Sequence, residues 1–298
     1  MSIKHVAVFG GTGNLGPDVV NQLVRNGFRV TVLSRTSDRP SGLEEAAKVI
    51  RTDYSDADSV QNALKGIDAF VSLAGPASMS QQRQLIDQAI SSGAKHIIPS
   101  EFGCDTTNEH AAKLAVFKDK VEVQAYLKEL AAQDRVSYTL LMTGGFLDWG
   151  VRQSFLINPN GTTRLWDGGE REFSATLLAD IGQAVASILK TPEAYKNRAV
   201  RINSAKVTQN KLLALARKTT GREFPTEQAS TDEQFKHSLE VLKSGQGNIR
   251  AAILGLLMKA IYDPAYGSSF KEDESAKLGV KVLSESELEQ VVGKAVAA

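Results

Sequence analysis

One stretch, His5 to Gly16, limits what this chain can fold into more than any other. The residues His5, Val6, Ala7, Val8 and Phe9 read as a short apolar strand. It runs directly into Gly10, Gly13 and Gly16, with Thr12, Asn14 and Leu15 between them, and a helical pattern begins at once. A strand that hands over to a helix through glycines suits a backbone that approaches a pyrophosphate closely and aims helix N–H groups at it. In that role Gly10 permits the turn, Gly13 the close approach, and Gly16 tight packing of helix on strand. A tight strand–helix turn without a ligand would use the same residues, but the position near the N-terminus and the strand–turn–helix context favour the dinucleotide site.

The second strand pattern, 28–33, decides which dinucleotide. Sites for NAD place an acid at this strand's end, on the ribose hydroxyls. Here the strand ends in Ser34 and Arg35. A carboxylate would repel a 2′-phosphate, whereas a guanidinium offers it paired charge-assisted hydrogen bonds. Arg39, in the loop that follows, is a second candidate contact. NADP(H) is therefore the expected cofactor.

Strand-like runs at 6–9, 29–33, 48–52, 69–73, 96–99 and 137–142 alternate with amphipathic stretches at 19–25, 58–64, 81–91 and 110–132. That alternation predicts an α/β protein with a Rossmann-type doubly wound parallel sheet. Ligands in such sheets sit at the carboxyl ends of the strands. The rule selects Gly10 to Gly16, Arg35, Asp53, Ala74, Gly75, Ser100, Phe102 and Phe146 as cofactor-binding candidates. Asp53 would touch the adenine amino group or cap the turn at Asp56. Beyond Phe146 the pattern changes. A hairpin is expected from the runs 164–166 and 171–173 around Asp167, Gly168, Gly169 and Glu170, and Asn160, Gly161 and Thr162 read as a hairpin turn. Helices are expected at 180–189, 211–218, 235–243, 249–260 and 285–292, with a strand at 198–202. The expected division is an NADP-binding domain over 1–150 and a smaller substrate lobe over 151–298 that partly rejoins the main sheet.

With 298 residues the chain can bury a substantial core. Lys plus Arg number 35 against 34 Asp plus Glu, and no basic run stands out, so nucleic acid is not an expected partner. The single cysteine, Cys104, excludes an internal disulfide, and a small buried side chain is its expected role. No leader pattern and no bilayer-length apolar run is seen, so a cytoplasmic protein without membrane contact is expected. A homodimer is left open. No metal site is expected.

Reduction of a small molecule needs a proton donor near the nicotinamide. The common Tyr-x-x-x-Lys pair is absent: Tyr54, Tyr126, Tyr138, Tyr195, Tyr262 and Tyr266 are followed four places on by Asp58, Leu130, Met142, Ala199, Tyr266 and Phe270. The 110–126 helix pattern supplies another candidate. Lys120 has Val116, Phe117, Val123 and Gln124 as helical neighbours and sits on the apolar margin. Desolvation there would favour the neutral amine and suit it to proton transfer. A lysine snorkelling along a core edge is the structural alternative. Lys118 and Lys113 face more polar surroundings. Ser100 and Glu101 follow the fifth strand, with Glu101 expected to brace the loop. His110 is expected to be structural. Phe146, Trp149, Trp166 and Tyr262 are candidates for an aromatic substrate wall.

The G-x-x-G-x-x-G spacing points to an atypical short-chain relative. Gly10 to Gly16, Leu33 to Arg35, Ile98 to Gly103 and Phe117 to Lys120 together resemble the isoflavone reductase-like reductases. These belong to the NmrA-like group that also includes pinoresinol–lariciresinol and phenylcoumaran benzylic ether reductases. The resemblance covers essentially the whole chain and is strongest over 1–150. It implies Lys120 as general acid or base, Arg35 on the 2′-phosphate, and Phe146 beside the nicotinamide. Where the plant reductases carry an Asn-Cys-Phe-like turn, this chain has Gly144, Gly145 and Phe146, followed by Asp148 and Trp149. Plant lignan and isoflavonoid substrates therefore do not transfer. The expected activity is hydride transfer from NADPH to a small apolar molecule, aromatic or bearing an enone or ketone. An NAD(P)-binding redox sensor without turnover is the alternative.

Overall fold

A computed structural model of the chain describes residues 2–298. The first half alternates as the pattern requires: β1 (His5–Phe9), α1 (Gly16–Arg25), β2 (Arg29–Ser34), β3 (Lys48–Arg51), α2 (Ala57–Ala63), β4 (Ala69–Ser72), α3 (Gln82–Ser91), β5 (His96–Ile98), α4 (Lys118–Ala132) and β6 (Ser137–Met142). The second half adds β7 (Gly145–Phe146), α5 (Leu147–Arg152), β8 (Thr163–Trp166), β9 (Phe173–Thr176), α6 (Leu178–Lys190), α7 (Pro192–Tyr195), β10 (Arg198–Arg201) and β11 (Ala205–Val207). It ends with α8 (Gln209–Thr220), β12 (Thr226–Ala229), α9 (Thr231–Ser244), α10 (Ile249–Tyr262) and α11 (Glu285–Ala297).

Seven strands form one parallel sheet in the order β10-β6-β5-β4-β1-β2-β3. Its central strands are buried on both faces, which is why β1, β4 and β6 read as nearly continuous apolar runs. Val19, Val20 and Leu23 of α1 join Ile181, Val185 and Ile188 of α6 in the core on one face. Val60 of α2, Leu85 and Ile86 of α3, and Val123 and Leu127 of α4 fill the other. Helices on both faces of a parallel sheet make the doubly wound fold. The edge strand β10 comes from the second half of the chain, in register with β6 from Arg198 opposite Thr139. A third core lies between α5, α8, α10, α11 and two small sheets, β11-β9-β7 and β12-β8. Among the described residues no helix is long and apolar enough to cross a membrane.

Three expectations need correction. The runs at 164–166 and 171–173 do not form a hairpin: β8 pairs in parallel with β12, and β9 pairs with β11 and β7. Asp167, Gly168 and Gly169 all have positive φ (48°, 86° and 77°), and the Asp167 carboxylate is held by the Thr231 N–H and hydroxyl at 3.0 and 2.7 Å. This turn sends the chain away from β8 instead of back along it. Asn160 to Thr162 form a local turn braced by Asn158, whose Oδ1 accepts from the Asn160 N–H, with no strand before it. The helix expected over 110–132 is regular only from Lys118. Before it stand two short 3-10 turns, Ala111–Lys113 and Ala115–Phe117, separated by Leu114 in an extended conformation.

His96 on β5 is fully buried, its ring nitrogens bonded to Ser137 Oγ at 2.8 Å and Thr139 Oγ1 at 3.0 Å. Burial pushes its pKa down to about 4 from the ordinary 6.5, and buried His5 is lowered for the same reason. The unfolded chain therefore takes up these protons first. The stability present above pH 6.5 is lost as the pH falls through about 4. For His96 the loss amounts to as much as about 3 kcal/mol. Urea unfolding should show a declining midpoint across that window, and His96→Gln should flatten the decline. An unchanged slope in the variant would remove His96 as its source.

Candidate active site

The parallel register carries the carboxyl ends of the strands to one rim. Leu73 N–H donates to the Phe9 carbonyl at 2.8 Å, Thr52 N–H to that of Ser34 at 2.7 Å, and Ser100 Oγ to that of Ala74 at 2.9 Å. At the end of β1, Gly10 has φ +75°, and a Cβ there would lie 2.6 Å from the Leu73 carbonyl oxygen. A Cβ on Gly16 would lie 2.2 Å from the Gly11 carbonyl oxygen. Neither position admits a side chain. Gly13 differs, because its Cβ would meet only the Gly10 carbonyl oxygen, at 3.3 Å. Thr12, Gly13 and Asn14 are exposed while Leu15 is buried in the core. No side chain caps α1, whose N-cap is Leu15. The bend is thus a backbone cradle, open on the side of Gly13, with the first turn of α1 behind it. These features fit a pyrophosphate.

At the end of β2, Ser34 is buried and Arg35 is exposed. Among the described residues Arg35 has no hydrogen-bond or ion-pair partner. It stands near Tyr54, whose hydroxyl burial pushes up to about 12 despite the opposing charge of Arg35. Arg39 is placed otherwise than expected. Its guanidinium donates to the carbonyls of Glu44 (2.7 Å), Glu45 (3.3 Å) and Ala47 (2.7 Å), so it braces its own loop. Asp53 is exposed and accepts from Ser55 N–H at 2.9 Å and Ser55 Oγ at 2.6 Å, bonds that hold its carboxyl below the usual range. The cap of α2 is Asp56 itself, bonded to Asp58 N–H. Gly75 is exposed and opens a 3-10 turn over Pro76–Gln81.

The loop after β5 carries the densest polar chemistry. Lys120, half-buried in the first turn of α4, donates from Nζ to the Glu101 carbonyl oxygen and lies 5.8 Å from the centre of the Phe117 ring. Lys118 is exposed and faces Glu122 at 3.8 Å, and Lys113 is exposed as well. Glu101 is only 1% exposed. Its carboxylate accepts from Thr106 Oγ1 at 2.6 Å and Gln124 Nε2 at 2.9 Å. Burial pushes this carboxyl up, while the Lys120 charge and those two bonds pull it down. Cys104 is buried, and burial pushes its thiol up to about 11, so it is no nucleophile at neutral pH. His110 is exposed, 3.8 Å from Glu109, and Asn108 caps its backbone.

Phe146 is half-buried and meets Trp149 edge to face at 6.1 Å, and Trp149 lies 6.0 Å from Phe155. This aromatic row leads to a cavity of about 240 Å³ lined by Phe155, Leu156, Trp166, Gln209 and Met258 among others. Tyr262 does not join the row. It is 1% exposed, stacked on Trp166 at 6.3 Å and edge-on to Phe173 at 5.4 Å. Helix α10 is apolar on nearly every side, and its last turn belongs to the third core. Sequence reasoning missed Phe155 and Met258. It also missed Thr106 and Gln124, although Gln124, four residues after Lys120, is one helical turn away.

The NmrA-like family model matches residues 2–251. The chain is 31% identical over 300 residues to oxidoreductase aprR of Aspergillus flavus, with 98% of each chain covered. It is 26% identical over 263 residues to isoflavone reductase of Pisum sativum, covering 78% of this chain and 81% of that one. The solved binary complex of leucoanthocyanidin reductase with NADPH from Vitis vinifera superposes with a TM-score of 0.78 at 17% identity, over 99% of this chain and 100% of that chain, which speaks for the fold. The resemblance carried by Gly10 to Gly16, Leu33 to Arg35, Ile98 to Gly103 and Phe117 to Lys120 is borne out at the level of the family, and the chain belongs to the NmrA-like family.

Proposed function

We propose that the protein is an NADPH-dependent reductase of a small apolar substrate, aromatic or bearing an enone or ketone, with Lys120 moving the proton. One observation carries this reading. The Lys120 ammonium is pinned to the peptide at the end of β5, on the rim that also holds the glycine cradle. The oxidoreductase naming of the Aspergillus relative and the NADPH complex of the Vitis neighbour agree with it.

The residues divide the work. The bend from Gly10 to Gly16, with Thr12, Asn14 and Leu15, takes the pyrophosphate on backbone N–H groups. Arg35, exposed and without a partner, takes the 2′-phosphate through charge-assisted bonds. Asp53 stands at the adenosine end. Ala74, Gly75, Ser100, Phe102 and Phe146 line the nicotinamide end. NADPH supplies the hydride when bound. Phe146, Trp149 and Phe155 form an apolar wall that excludes water and orients a flat substrate. An ammonium has three N–H donors. The Glu101 carbonyl takes one and fixes the position of Nζ, so another can deliver a proton to the substrate atom that gains electron density.

NADPH consumption across enones, quinones, ketones and benzylic ethers, beside a cofactor-binding titration, tests the assignment. Lys120→Ala should lower turnover by about 10² or more, the usual worth of a positioned acid or base. Unchanged turnover would end that role, and binding without turnover on any class would make the protein a sensor. Arg35→Glu should weaken NADPH about 10- to 100-fold, the worth of hydrogen bonds to a charged group, and NADH far less. Equal losses for both cofactors would overturn the 2′-phosphate assignment.

A further inference from the structure

We propose that Glu101 is a positioning residue for Lys120, with its buried carboxylate acting as a brace that fixes the carbonyl on which Nζ rests. This deepens the reading of Lys120 given above and rests on it.

The brace closes on itself. Thr106 Oγ1 donates to one carboxylate oxygen at 2.6 Å, Gln124 Nε2 to the other at 2.9 Å, and Gln124 Nε2 also reaches Thr106 Oγ1 at 2.7 Å. Glu101, Thr106 and Gln124 are all buried. Gln124 and Lys120 stand one turn apart on α4, so the brace and the lysine share one rigid helix. Through Glu101 that helix is tied to the peptide following β5. The peptide is held on its other side too: Glu101 N–H donates to the Pro99 carbonyl at 2.8 Å, and Phe102 N–H to that of Leu141 on β6 at 3.0 Å. The turn so held is a strained one, because Phe102 has φ +23°. A non-glycine residue in this region costs on the order of 1–3 kcal/mol and persists only where its surroundings impose it. Outside the brace, Arg201 of β10 bonds Asp105 Oδ2 at 2.7 Å and Thr107 Oγ1 at 3.0 Å, fastening the far end of the loop.

Loop stability alone does not need this arrangement. An apolar residue in place of a buried carboxylate avoids its desolvation. What the Glu101 side chain supplies is a planar head with two polar atoms of fixed spacing, bonded to Thr106 and Gln124, which set the Glu101 backbone relative to α4 and so place its carbonyl under Nζ.

The test reads Lys120 directly in the full chain, without a substrate. N-hydroxysuccinimidyl acetate acylates free amines, and peptide mass spectrometry gives the rate at Lys120 relative to exposed Lys118 in the same molecule. Glu101→Leu should raise the Lys120 to Lys118 ratio at least about fivefold, because Nζ loses its fixed acceptor. Glu101→Gln offers the same shape and two polar atoms, and should stay within about twofold of the unaltered protein. Gln124→Leu removes the other end of the brace and should reproduce the Glu101→Leu result, which keeps the test decisive if Glu101→Leu fails to fold. A ratio unmoved by Gln124→Leu, or by a folded Glu101→Leu, would overturn the proposal. So would Glu101→Gln behaving as Glu101→Leu does, since charge and not the brace would then govern Lys120. Failure of the proton role appears separately, as unchanged turnover in Lys120→Ala, and leaves the acylation ratios as they are.

Discussion

Helix α1 lies so close to the end of β1 that a Cβ on Gly16 would fall 2.2 Å from the Gly11 carbonyl oxygen, and this contact of backbone on backbone sets the distances around it. One layer out, the same device recurs: a Cβ on Gly182 of α6 would lie 2.6 Å from the Asp18 carbonyl oxygen of α1. Strand, first helix and sixth helix therefore stack without side chains at their closest points. Because β1 pairs with both β2 and β4, whatever fixes its end also fixes theirs. The rim that holds Arg35, Ala74 and Ser100 is a consequence of that stack.

The second half of the chain is not merely appended to this sheet. Its return strand β10 pairs with β6 and carries two arginines on to other elements. Arg198 makes a paired contact with Glu274 at 2.5 and 3.0 Å, and Arg201 holds the loop after β5 through Asp105. Farther out, Lys259 of α10, its side chain 7% exposed, lies between Asp232 at 2.6 Å and Asp263 at 2.5 Å. Burial works against its charge, yet the two carboxylates hold its pKa above the ordinary lysine range. That clamp ties α9 to α10, the helix whose Met258 reaches the cavity beyond Phe155. One wall of that cavity thus stands on a helix held by an ion-pair clamp.

Local rules made the first half legible. A period of two or 3.6 residues, glycines between strand and helix, and a basic residue at the end of β2 are each visible in a window of a few residues, and β1 to β6 fell where those signals put them. The second half depends on pairings between distant segments. β8 finds β12 some sixty residues away, so the runs flanking Gly168 and Gly169 looked like partners when each had another. Tyr262 shows the same limit at the level of side chains, since the Trp166 ring that covers it is far off in sequence. Arg39 was hidden differently: the carbonyls that absorb it are close by, but they lie in an irregular loop that no period of two or 3.6 residues describes. Gln124 was hidden because its partner Glu101 lies on a separate segment, the loop after β5, and Thr106 because it meets Glu101 inside that irregular loop.

Three features of the segment from Glu101 to Lys120 each work against stability. A carboxylate is buried, a phenylalanine is held at positive φ, and a lysine occupies the first turn of a helix, where the peptide dipole disfavours a cation. A protein that merely bound a dinucleotide would need the cradle at Gly10 to Gly16 and the cation at Arg35, both of which lie elsewhere and cost little. At the end of β5 the three features surround one amine and the carbonyl that holds it. Strain and buried charge persist where a geometry is worth more to function than to stability. Their meeting at Lys120, and not at the cradle, agrees with the proton role proposed for that amine.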